Sequence, residues 1–459
     1  MTALASFSRQ FLLQPTLMRE GKGTVLRHYG FFMKSQFWTR QQLLDYQSRK
    51  LSDVILHAYN SVDYYKSLFN DSGIDPHSIK YPDDLAKLPI LTRDIISENL
   101  DSLISQGIDK SSMQRVLTGG TTGKQATICR DRESSNIKMG SAYRFESFMG
   151  RQPADKLALF WPARADFSHK PSFLEKIKNR FITGDLPLFT GNYDARLFRQ
   201  YCREIIDFKP VYFKVFPSAL SIYINFLENE KLAPFKLSGI MTTGEPLYDH
   251  QKTRFENTFR CPVYNLYSSR EAGNTACECS MHTGLHIAME TTIVEYVENS
   301  RLVPDGKIGD ILITDLTNFA MPLIRYKIDD TGARLNKGCS CGRGLELMSP
   351  VVGRLTDDFY SPDGRRHSGN TLGFYLTTNS EFPIGQMQII QETLLDFKVI
   401  ITDRPVPDQR IFDFIISQMN EIIGQGINIH MEVVRELPRE KSGKLRFVKC
   451  NYKPGNQAA

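Results

Sequence analysis

Short apolar runs alternate with helical segments through the middle of the chain. We predict buried strands and intervening helices there, with strands at Leu157–Trp161, Val211–Phe216, Ser238–Thr242 and Val263–Leu266 and helices at Leu197–Phe208 and Ser218–Glu228. Because strand and helix alternate, each strand returns to the sheet through a helix and runs parallel to its neighbour. The pattern therefore predicts an α/β fold whose parallel sheets are covered by helices.

The chain has 459 residues, more than one hydrophobic core usually supports, so we expect two or more domains. Residues 1–100 are predicted to be a mainly helical lead-in, with apolar residues at helical spacing over Thr39–Tyr65. Strand patterns and one helix, Arg410–Ile423, occupy the C-terminal part. We predict a large N-terminal domain over residues 1–354 and a small α+β domain over residues 355–459.

Near Glu290 the pattern of the sequence changes from alternating strands and helices to β-branched runs. β-branched runs at Thr291–Val297 and Asp310–Asp315 are separated by the turn residues Pro304–Gly306. Such runs are typical of a hairpin or small antiparallel sheet. The large domain is therefore expected to carry a small β subdomain.

Charge and composition exclude several classes of protein. The formal net charge of +6 suits anionic substrates such as nucleotides, and no long Lys/Arg run indicates a nucleic-acid binder. The densest basic stretch, Lys170–Arg180, is interpreted as a solvated helix face. No run of about 18 apolar residues predicts a membrane span, and Met1–Glu20 lacks the order of a signal peptide. We expect a soluble, cytoplasmic protein.

The first motif that could carry chemistry is a Gly/Thr loop, Leu117–Lys124. Glycines and small hydroxyl residues let such a loop present backbone N–H groups and hydroxyls to phosphate oxygens. It is not a Walker-type P-loop, because Gln125 stands where that motif needs Ser or Thr after the lysine. Taken alone, the loop is equally compatible with an ordinary turn.

Two further motifs follow predicted strands, Thr243–Pro246 and Tyr264–Glu271. An aromatic ring at a strand end can stack on a purine. A carboxylate four residues further on can hold Mg²⁺ against phosphates, because Mg²⁺ is usually bound by few protein oxygens together with phosphate and water. Each motif alone is also compatible with a packed tyrosine and a surface glutamate.

Three more motifs lie downstream: Ile324–Gly332, Gly353–Asp358 and Leu437–Lys444. A carboxylate in the first could accept both ribose hydroxyls of a nucleotide. The second lies at the predicted domain boundary. The third ends in a lysine after a glycine, on a tight turn from which it could enter a site, although a surface lysine is the ordinary interpretation.

In this order and spacing, the six motifs resemble the adenylate-forming superfamily of acyl-coenzyme A synthetases, peptide-synthetase adenylation domains and luciferases. Within it, the chain is most similar to the phenylacetate–coenzyme A ligase family, especially the branch found in capsular-polysaccharide clusters. The similarity covers nearly the whole chain and includes four supporting segments, Lys87–Thr92, Gly284–His286, Pro322–Tyr326 and Leu437–Arg439.

The resemblance implies a large adenylate-forming domain with a small mobile lid domain. It implies that the ATP phosphates are bound by Thr118, Gly119, Gly120, Thr121, Thr122, Gly123 and Lys124. The other nucleotide-binding residues that it implies are Gly244, Glu245 and Pro246 along the adenine, Tyr267 stacked on it, and the adjacent Ser268, which replaces a common glycine.

The remaining implied roles concern the metal, the ribose and the lid. Glu271 would bind Mg²⁺, and Asp330 the ribose hydroxyls, with Asp329 as the rival. Arg354 would contact the nucleotide near the hinge, and Lys444 would be the adenylation lysine on the lid.

The implied reaction activates a small-molecule carboxylic acid as acyl-AMP and passes the acyl group to a thiol, coenzyme A, or to an amine. The second possibility is an amide-forming ligase in polysaccharide or secondary metabolism, and a third is an inactive scaffold. A homodimer is common among relatives. Departures at Gln125 and Ser268 leave the acid and the acceptor open.

Cysteines and histidines cluster in two stretches, Cys277–His286 and Cys339–Cys341. In a cytoplasmic protein, paired C-x-C spacings with nearby histidines favour tetrahedral Zn²⁺ over disulfides. We predict Cys279, Cys339, Cys341 and either His282 or His286 as ligands. Four protein ligands would make a structural clip; unpaired thiols in a loop are the alternative.

Overall fold

The computed structural model describes residues 3–109, 111, 113–117, 126–161, 172–190, 195–351, 359–364, 366–367, 372, 376, 386–403, 406–438 and 446–453. The chain divides into two compact units. The larger consists of Met1–Leu247, Lys252–Ile328 and Gly332–Pro350; the smaller consists of Val351–Ala459 with Tyr248–Gln251 and Asp329–Thr331. The domain boundary predicted at residue 354 lies outside the described residues.

The α-helices are α1 (Ala3–Arg19), α2 (Val25–Ser35), α3 (Arg40–Ser61), α4 (Asp63–Ser72), α5 (Arg93–Glu98), α6 (Leu100–Leu103), α7 (Arg132–Glu146), α8 (Phe173–Lys178), α9 (Ala195–Phe208), α10 (Pro217–Asn229), α11 (Asp249–Phe259) and α12 (Gln409–Ile423). Short 3-10 turns cover Pro76–Ser78, Pro82–Lys87 and Ser147–Met149, and α8 continues into a π-helical turn, Asn179–Thr183. None of the helices so described is both long and apolar enough to cross a membrane.

The helical lead-in shows how local sequence sets the helix ends. α3 begins at a capping box, in which the Thr39 hydroxyl accepts from the Gln42 N–H and the Gln42 side chain accepts from the Thr39 N–H. The single helix predicted over Thr39–Tyr65 is instead two helices, because Val62 is extended and Asp63 starts α4. β-branched Val62 tolerates that extended backbone well.

The strands are β1 (Gln114–Leu117), β2 (Thr127–Arg130), β3 (Leu157–Trp161), β4 (Asp185–Phe189), β5 (Tyr212–Val215), β6 (Gly239–Thr243), β7 (Val263–Ser269), β8 (Gly273–Glu278), β9 (Leu285–Ile287), β10 (Thr292–Glu298), β11 (Arg301–Leu302), β12 (Gly309–Asp315), β13 (Tyr326–Gly332), β14 (Arg334–Leu335), β15 (Leu347–Met348), β16 (Phe359–Tyr360), β17 (Arg366–His367), β18 (Met387–Gln391), β19 (Asp396–Thr402), β20 (Asn428–Val434) and β21 (Val448–Cys450).

A nine-stranded sheet in the order β14-β15-β9-β8-β7-β6-β5-β3-β4 forms the centre of the larger unit. Its half from β7 to β4 is parallel, and all four strands predicted from apolar runs lie in it. Helices α9, α10 and α11 contribute to one core cluster with this half, which includes Phe160, Phe213, Tyr223 and Phe259. The other half, from β8 to β14, pairs antiparallel, so the sheet is mixed rather than purely parallel.

Two smaller sheets complete the larger part of the fold. The β subdomain predicted from the β-branched runs is a four-stranded sheet in the order β11-β10-β12-β13. In it, β10 and β12 pair antiparallel, with Thr292 opposite Asp315. β1 and β2 form a hairpin whose register pairs Leu117 with Thr127. The predicted phosphate loop connects these two strands, and its residues 118–125 lie outside the described part of the chain.

The smaller unit has its own sheet, in the order β20-β19-β18-β21. α12 begins at Asp408, whose carboxylate accepts from the Ile411 N–H. The helix buries four apolar residues at a spacing of four, Ile411, Ile415, Met419 and Ile423. Together with buried residues of β18 and β19 they form a separate core, so this unit is an α/β domain.

Candidate functional site

Two predicted nucleotide-binding segments meet at one edge of the central sheet. β6 and β7 are parallel neighbours with Thr243 opposite Leu266, so the residues that follow those positions lie side by side. Gly244–Pro246 follow β6, while Tyr267 and Ser268 form the end of β7. The hydroxyls of Thr243 and Ser268 are hydrogen-bonded at 2.7 Å. In parallel sheets, ligands bind outside the carboxyl ends of the strands, which is where these residues lie.

The position of Gly244 admits no side chain. Its φ of +79° is left-handed, and a Cβ there would lie 2.3 Å from Cε1 of Phe216. Phe216 follows β5, and its ring packs edge-on against Trp161 at the end of β3, with centroids 5.0 Å apart. The glycine thus lets the backbone lie directly against an aromatic pair at the same sheet edge.

Glu271 lies at the tip of the three-residue loop between β7 and β8. Ser269 pairs with Gly273, which takes the left-handed conformation that such a tight hairpin needs. The Glu271 side chain is buried, with 1% of its surface exposed, and neither carboxylate oxygen has a hydrogen-bond partner among the described residues. Burying a carboxylate without donors is costly, and a bound cation relieves that cost. The site therefore fits Mg²⁺, which prefers carboxylate oxygens.

Two buried cations fix the backbone around Glu271. Nη2 of Arg130 donates to the carbonyl oxygens of Arg270 and Glu271 at 2.9 and 3.0 Å. Nζ of Lys138 donates to the carbonyl oxygen of Ala272 at 2.7 Å. Burial lowers the pKa of both cations. These contacts occupy the cations with the backbone and leave the Glu271 carboxylate available.

Asp315 balances the charge of these cations. Its Oδ2 forms an ion pair with Lys138 at 2.7 Å, and its Oδ1 accepts from the N–H and hydroxyl of Thr317 at 2.9 and 2.7 Å. Burial raises the pKa of Asp315, but Lys138 and Thr317 outweigh it and hold the pKa below its usual value. Neither Arg130 nor Lys138 was predicted from the sequence, because an isolated basic residue carries no sign that it will be buried.

Four of the predicted zinc ligands form a compact cluster in the antiparallel half of the sheet. Cys279 follows β8, His286 lies on β9, and Cys339 and Cys341 lie in the loop between β14 and β15. Their ligand atoms all lie within 4.8 Å of one another. Cys279 Sγ is 3.6 Å from Cys339 Sγ, and Cys341 Sγ is 3.4 Å from His286 Nε2. Tetrahedral Zn²⁺ would separate such ligands by about 3.5–3.8 Å, so the donor set and its spacing fit that ion.

Hydrogen-bond donors contact two of the cysteine sulfurs in the cluster. The Met281 N–H points to Cys279 Sγ at 3.5 Å, and the Thr283 hydroxyl donates to Cys339 Sγ at 3.3 Å. Burial and the Arg343 guanidinium lower the pKa of His286 to about 4, which keeps its ring neutral. Outer donors of this kind orient metal ligands.

His282, the alternative histidine, lies outside the cluster. Its Nδ1 is 3.0 Å from Lys252 Nζ and 3.1 Å from a Glu278 carboxylate oxygen, and its ring lies against Tyr264. The geometry therefore selects His286 from the two histidines that the sequence left open.

Known proteins are similar in sequence to most of the chain. Residues 360–451 match the family model of the CapK C-terminal domain. The chain is 21% identical to phenylacetate–coenzyme A ligase of Thermus thermophilus over 446 residues, which cover 89% of this chain and 96% of the relative. It is also 21% identical to Protein CapK of Staphylococcus aureus over 423 residues, 90% of each protein. Over most of its length the chain is therefore distantly similar to the phenylacetate–CoA ligase/CapK family of adenylate-forming ligases.

Solved structures of adenylate-forming ligases share the fold of this chain. 2-Hydroxyisobutyryl-CoA ligase, in the postadenylation state with 2-HIB-AMP, matches with a TM-score of 0.70 and 18% identity over 88% of this chain and 89% of that one. The sequence comparisons confirm the resemblance that the six motifs indicated. The structural match confirms the α/β fold class with its large sheet, small β sheet and C-terminal α/β domain.

The structure describes only some of the other predicted site residues. Asp330 is buried on β13, and its neighbour Asp329 is half-buried with a left-handed φ of +62°. Both carboxylates remain candidates for the ribose. Arg354, Lys444 and the phosphate loop from Thr118 to Lys124 lie outside the described residues.

Proposed function

We propose that the chain activates a small-molecule carboxylic acid with ATP and transfers the acyl group to coenzyme A. In the first half-reaction, a substrate carboxylate oxygen attacks the α-phosphorus, and pyrophosphate leaves with the bonding electron pair. In the second, the coenzyme A thiolate attacks the acyl carbon of acyl-AMP, and AMP leaves. The observation that carries the proposal is the buried carboxylate of Glu271 at the carboxyl edge of the sheet, for which the described part of the chain supplies no hydrogen-bond donor.

The nucleotide would lie along the β6/β7 edge. Gly244–Pro246 would line one side of the adenine, and the Tyr267 ring would stack on it beside Ser268. Glu271 would hold Mg²⁺, which when bound neutralises charge that builds on the phosphate oxygens. Thr118–Lys124 would bind the phosphates. The hydrogen bond between Thr243 and Ser268 supports this placement, because it keeps the two strand ends together.

The roles of the remaining site residues are inferred from the resemblance to the family. Asp330, or its neighbour Asp329, would accept the ribose hydroxyls, and Arg354 would contact the nucleotide near the hinge. Lys444 would bring its ammonium to the crowded phosphorus centre during adenylation, where fixed charge is most effective in stabilising the transition state. Rotation of the small domain would then remove Lys444 before acyl transfer.

Coenzyme A is the favoured acceptor because relatives that cover most of the chain are named coenzyme A ligases. An amine acceptor, with an amide product in polysaccharide metabolism, is the second candidate. It is favoured by the match of residues 360–451 to the CapK C-terminal domain and by the similarity to Protein CapK along most of the chain.

The test is pyrophosphate release over a panel of acids, with and without coenzyme A or amines. We expect an active acid to release pyrophosphate in the wild type, and Glu271→Gln to reduce the rate at least roughly a hundredfold, as loss of a well-placed electrostatic group commonly does. The matched control is Glu298→Gln, an exposed glutamate of the small β sheet. Equal rates in Glu271→Gln and wild type would remove the proposed metal role.

Lys444→Ala separates the two half-reactions. We expect it to abolish adenylation while acyl transfer from preformed acyl-AMP stays largely intact, because the lysine acts only in the first step. An equal loss in both steps would contradict the swinging-lysine role.

We further propose a structural zinc ion held by Cys279, His286, Cys339 and Cys341. The compact donor set supports it, and four protein ligands would leave no open position for catalysis. The ion would join the end of β8, β9 and the loop between β14 and β15, and so stabilise the antiparallel half of the sheet.

A further inference from the structure

Helix α8 and its π-helical turn expose apolar side chains instead of burying them. Phe173 and Leu174 are 76% and 77% exposed, and Ile177 and Phe181 are also exposed. At about 100° per residue, these four side chains fall within roughly one third of the helix circumference. They form one outward-facing apolar stripe, although the sequence of this basic stretch suggested only a solvated helix face.

Helix α1 adds a second stripe beside the first. Phe11, Leu12 and Met18 are exposed on one side of α1, while Leu13 and Leu17 are buried on the other. α1 packs along the π-helical turn that follows α8. We call these seven exposed residues the α1/α8 surface: Phe11, Leu12, Met18, Phe173, Leu174, Ile177 and Phe181. Groups of exposed apolar side chains of this kind mark sites of association.

Basic side chains border the α1/α8 surface. Lys176 is exposed, Lys178 pairs with Glu20 at 2.8 Å, and Arg180 pairs with Asp207. Segments 3–22 and 172–183 together carry six basic and two acidic residues, a net charge of +4, whereas the whole chain carries only +6. The two segments that carry this apolar surface are therefore net basic in sequence.

We propose that the α1/α8 surface docks the larger unit onto an anionic lipid bilayer. Apolar side chains flanked by Lys and Arg are the pattern of segments that lie in the membrane interface, with the apolar face in the headgroup–acyl boundary and the cations on anionic headgroups. The absence of a membrane-spanning helix among the described residues agrees with docking on the surface. The proposal goes beyond the ligase function, because it requires neither nucleotide nor acid.

The test is flotation of the full chain with vesicles of phosphatidylcholine, alone or mixed with phosphatidylglycerol, in the absence of ATP. We expect binding to the anionic vesicles only, and weaker binding at high salt. Phe173→Ser combined with Leu174→Ser should reduce the partition coefficient roughly tenfold or more, because two exposed side chains no longer enter the interface. Val406→Ser, at an 81% exposed valine of the smaller unit, is the matched control and should bind like wild type.

A charge variant separates the electrostatic contribution. Lys176→Glu should weaken binding to anionic vesicles while the protein remains folded, because Lys176 is exposed. The proposal is overturned if the wild type binds neither vesicle, or if the double serine variant binds as well as wild type. It is also overturned if sedimentation shows a wild-type dimer that the double variant cannot form, because the surface would then serve self-association. Pyrophosphate release in solution is measured separately, so failure of docking and failure of ligase activity are distinguishable.

Discussion

Replacement of Lys138 by methionine should destabilise the larger unit strongly. The lysine Nζ lies 2.7 Å from Asp315 Oδ2 and donates to the Ala272 carbonyl at 2.7 Å. Its side chain is 8% exposed and that of Asp315 only 1%. Methionine keeps the length of the side chain but removes the charge, so Asp315 becomes a buried carboxylate whose donors, among the residues that the structure describes, are the two groups of Thr317.

The expected loss in the free energy of unfolding follows from the burial of this ion pair. Breaking a buried ion pair from one side costs about 3–5 kcal/mol, because the remaining charge is uncompensated, and the lost bond to Ala272 adds roughly 1 kcal/mol. Lys307→Met is the matched control, since Lys307 pairs with Glu298 at the same 2.7 Å but both side chains are exposed. An exposed pair contributes about 0–1 kcal/mol, so the control should unfold almost like wild type.

Urea unfolding followed by tryptophan fluorescence measures this effect. Both tryptophans, Trp38 and Trp161, lie in the larger unit, so the signal reports that unit. We expect Lys138→Met and Asp315→Asn to be destabilising singly, and the double variant to lose clearly less free energy of unfolding than the sum of the two. Additive losses in the double variant would refute the ion-pair argument.

The pH dependence supplies a second check. The pKa of Asp315 is held below its usual value in the folded protein, so its contribution is present above the unfolded pKa of about 3.9 and is lost as pH falls through the folded pKa. In Lys138→Met the carboxyl protonates more readily. The difference in stability between wild type and variant should therefore be largest at neutral pH, shrink as pH falls through the raised pKa of Asp315 in the variant, and be lost below the pKa of Asp315 in the wild type.

Two further predictions concern the cysteine cluster and the nucleotide edge. Metal analysis should find one zinc per chain, and Cys339→Ser should lose it, while Cys450→Ser, a thiol of the smaller unit, should retain it; a metal-free wild type of equal stability would contradict the clip. Gly244→Ala should lower the melting temperature more than Gly306→Ala, because both glycines have positive φ but only Gly244 would also clash with Phe216. Equal shifts in a thermal melt would show that backbone strain alone accounts for both.

Four of the five strands in the parallel half of the sheet were predictable because they are largely buried; the edge strand β4 was not predicted. Mainly apolar runs such as Leu157–Trp161 and Val263–Leu266 are typical of buried parallel strands, and both became strands. The antiparallel half was not predicted, since β8 is the polar sequence Gly273–Glu278 and β9 has three residues. Strands this short or polar gain their stability from neighbours that the local sequence does not reveal.

Part of the candidate site was likewise predictable from the sequence, and part of it needed the fold. Gly244, Tyr267 and Glu271 stand in motifs whose order identified the family, and the structure brings them to one sheet edge. The choice of His286 over His282 needed the fold, because both spacings allow a zinc ligand and only strand pairing decides which ring faces the cysteines.

The buried cations help to explain why Glu271 has no hydrogen-bond donor among the described residues. Arg130 and Lys138 both donate to backbone carbonyls of the loop, and Lys138 is neutralised by Asp315. Had either cation donated to the Glu271 carboxylate, the site would already be satisfied and would bind a metal weakly. The arrangement fixes the loop and leaves the cost of burying a carboxylate without hydrogen bonds, as is common where strain is kept at a functional site. Binding of a divalent cation relieves the cost of burying that carboxylate. Loss of Arg130 or Lys138 should therefore weaken metal binding before it affects binding of the carboxylic acid substrate.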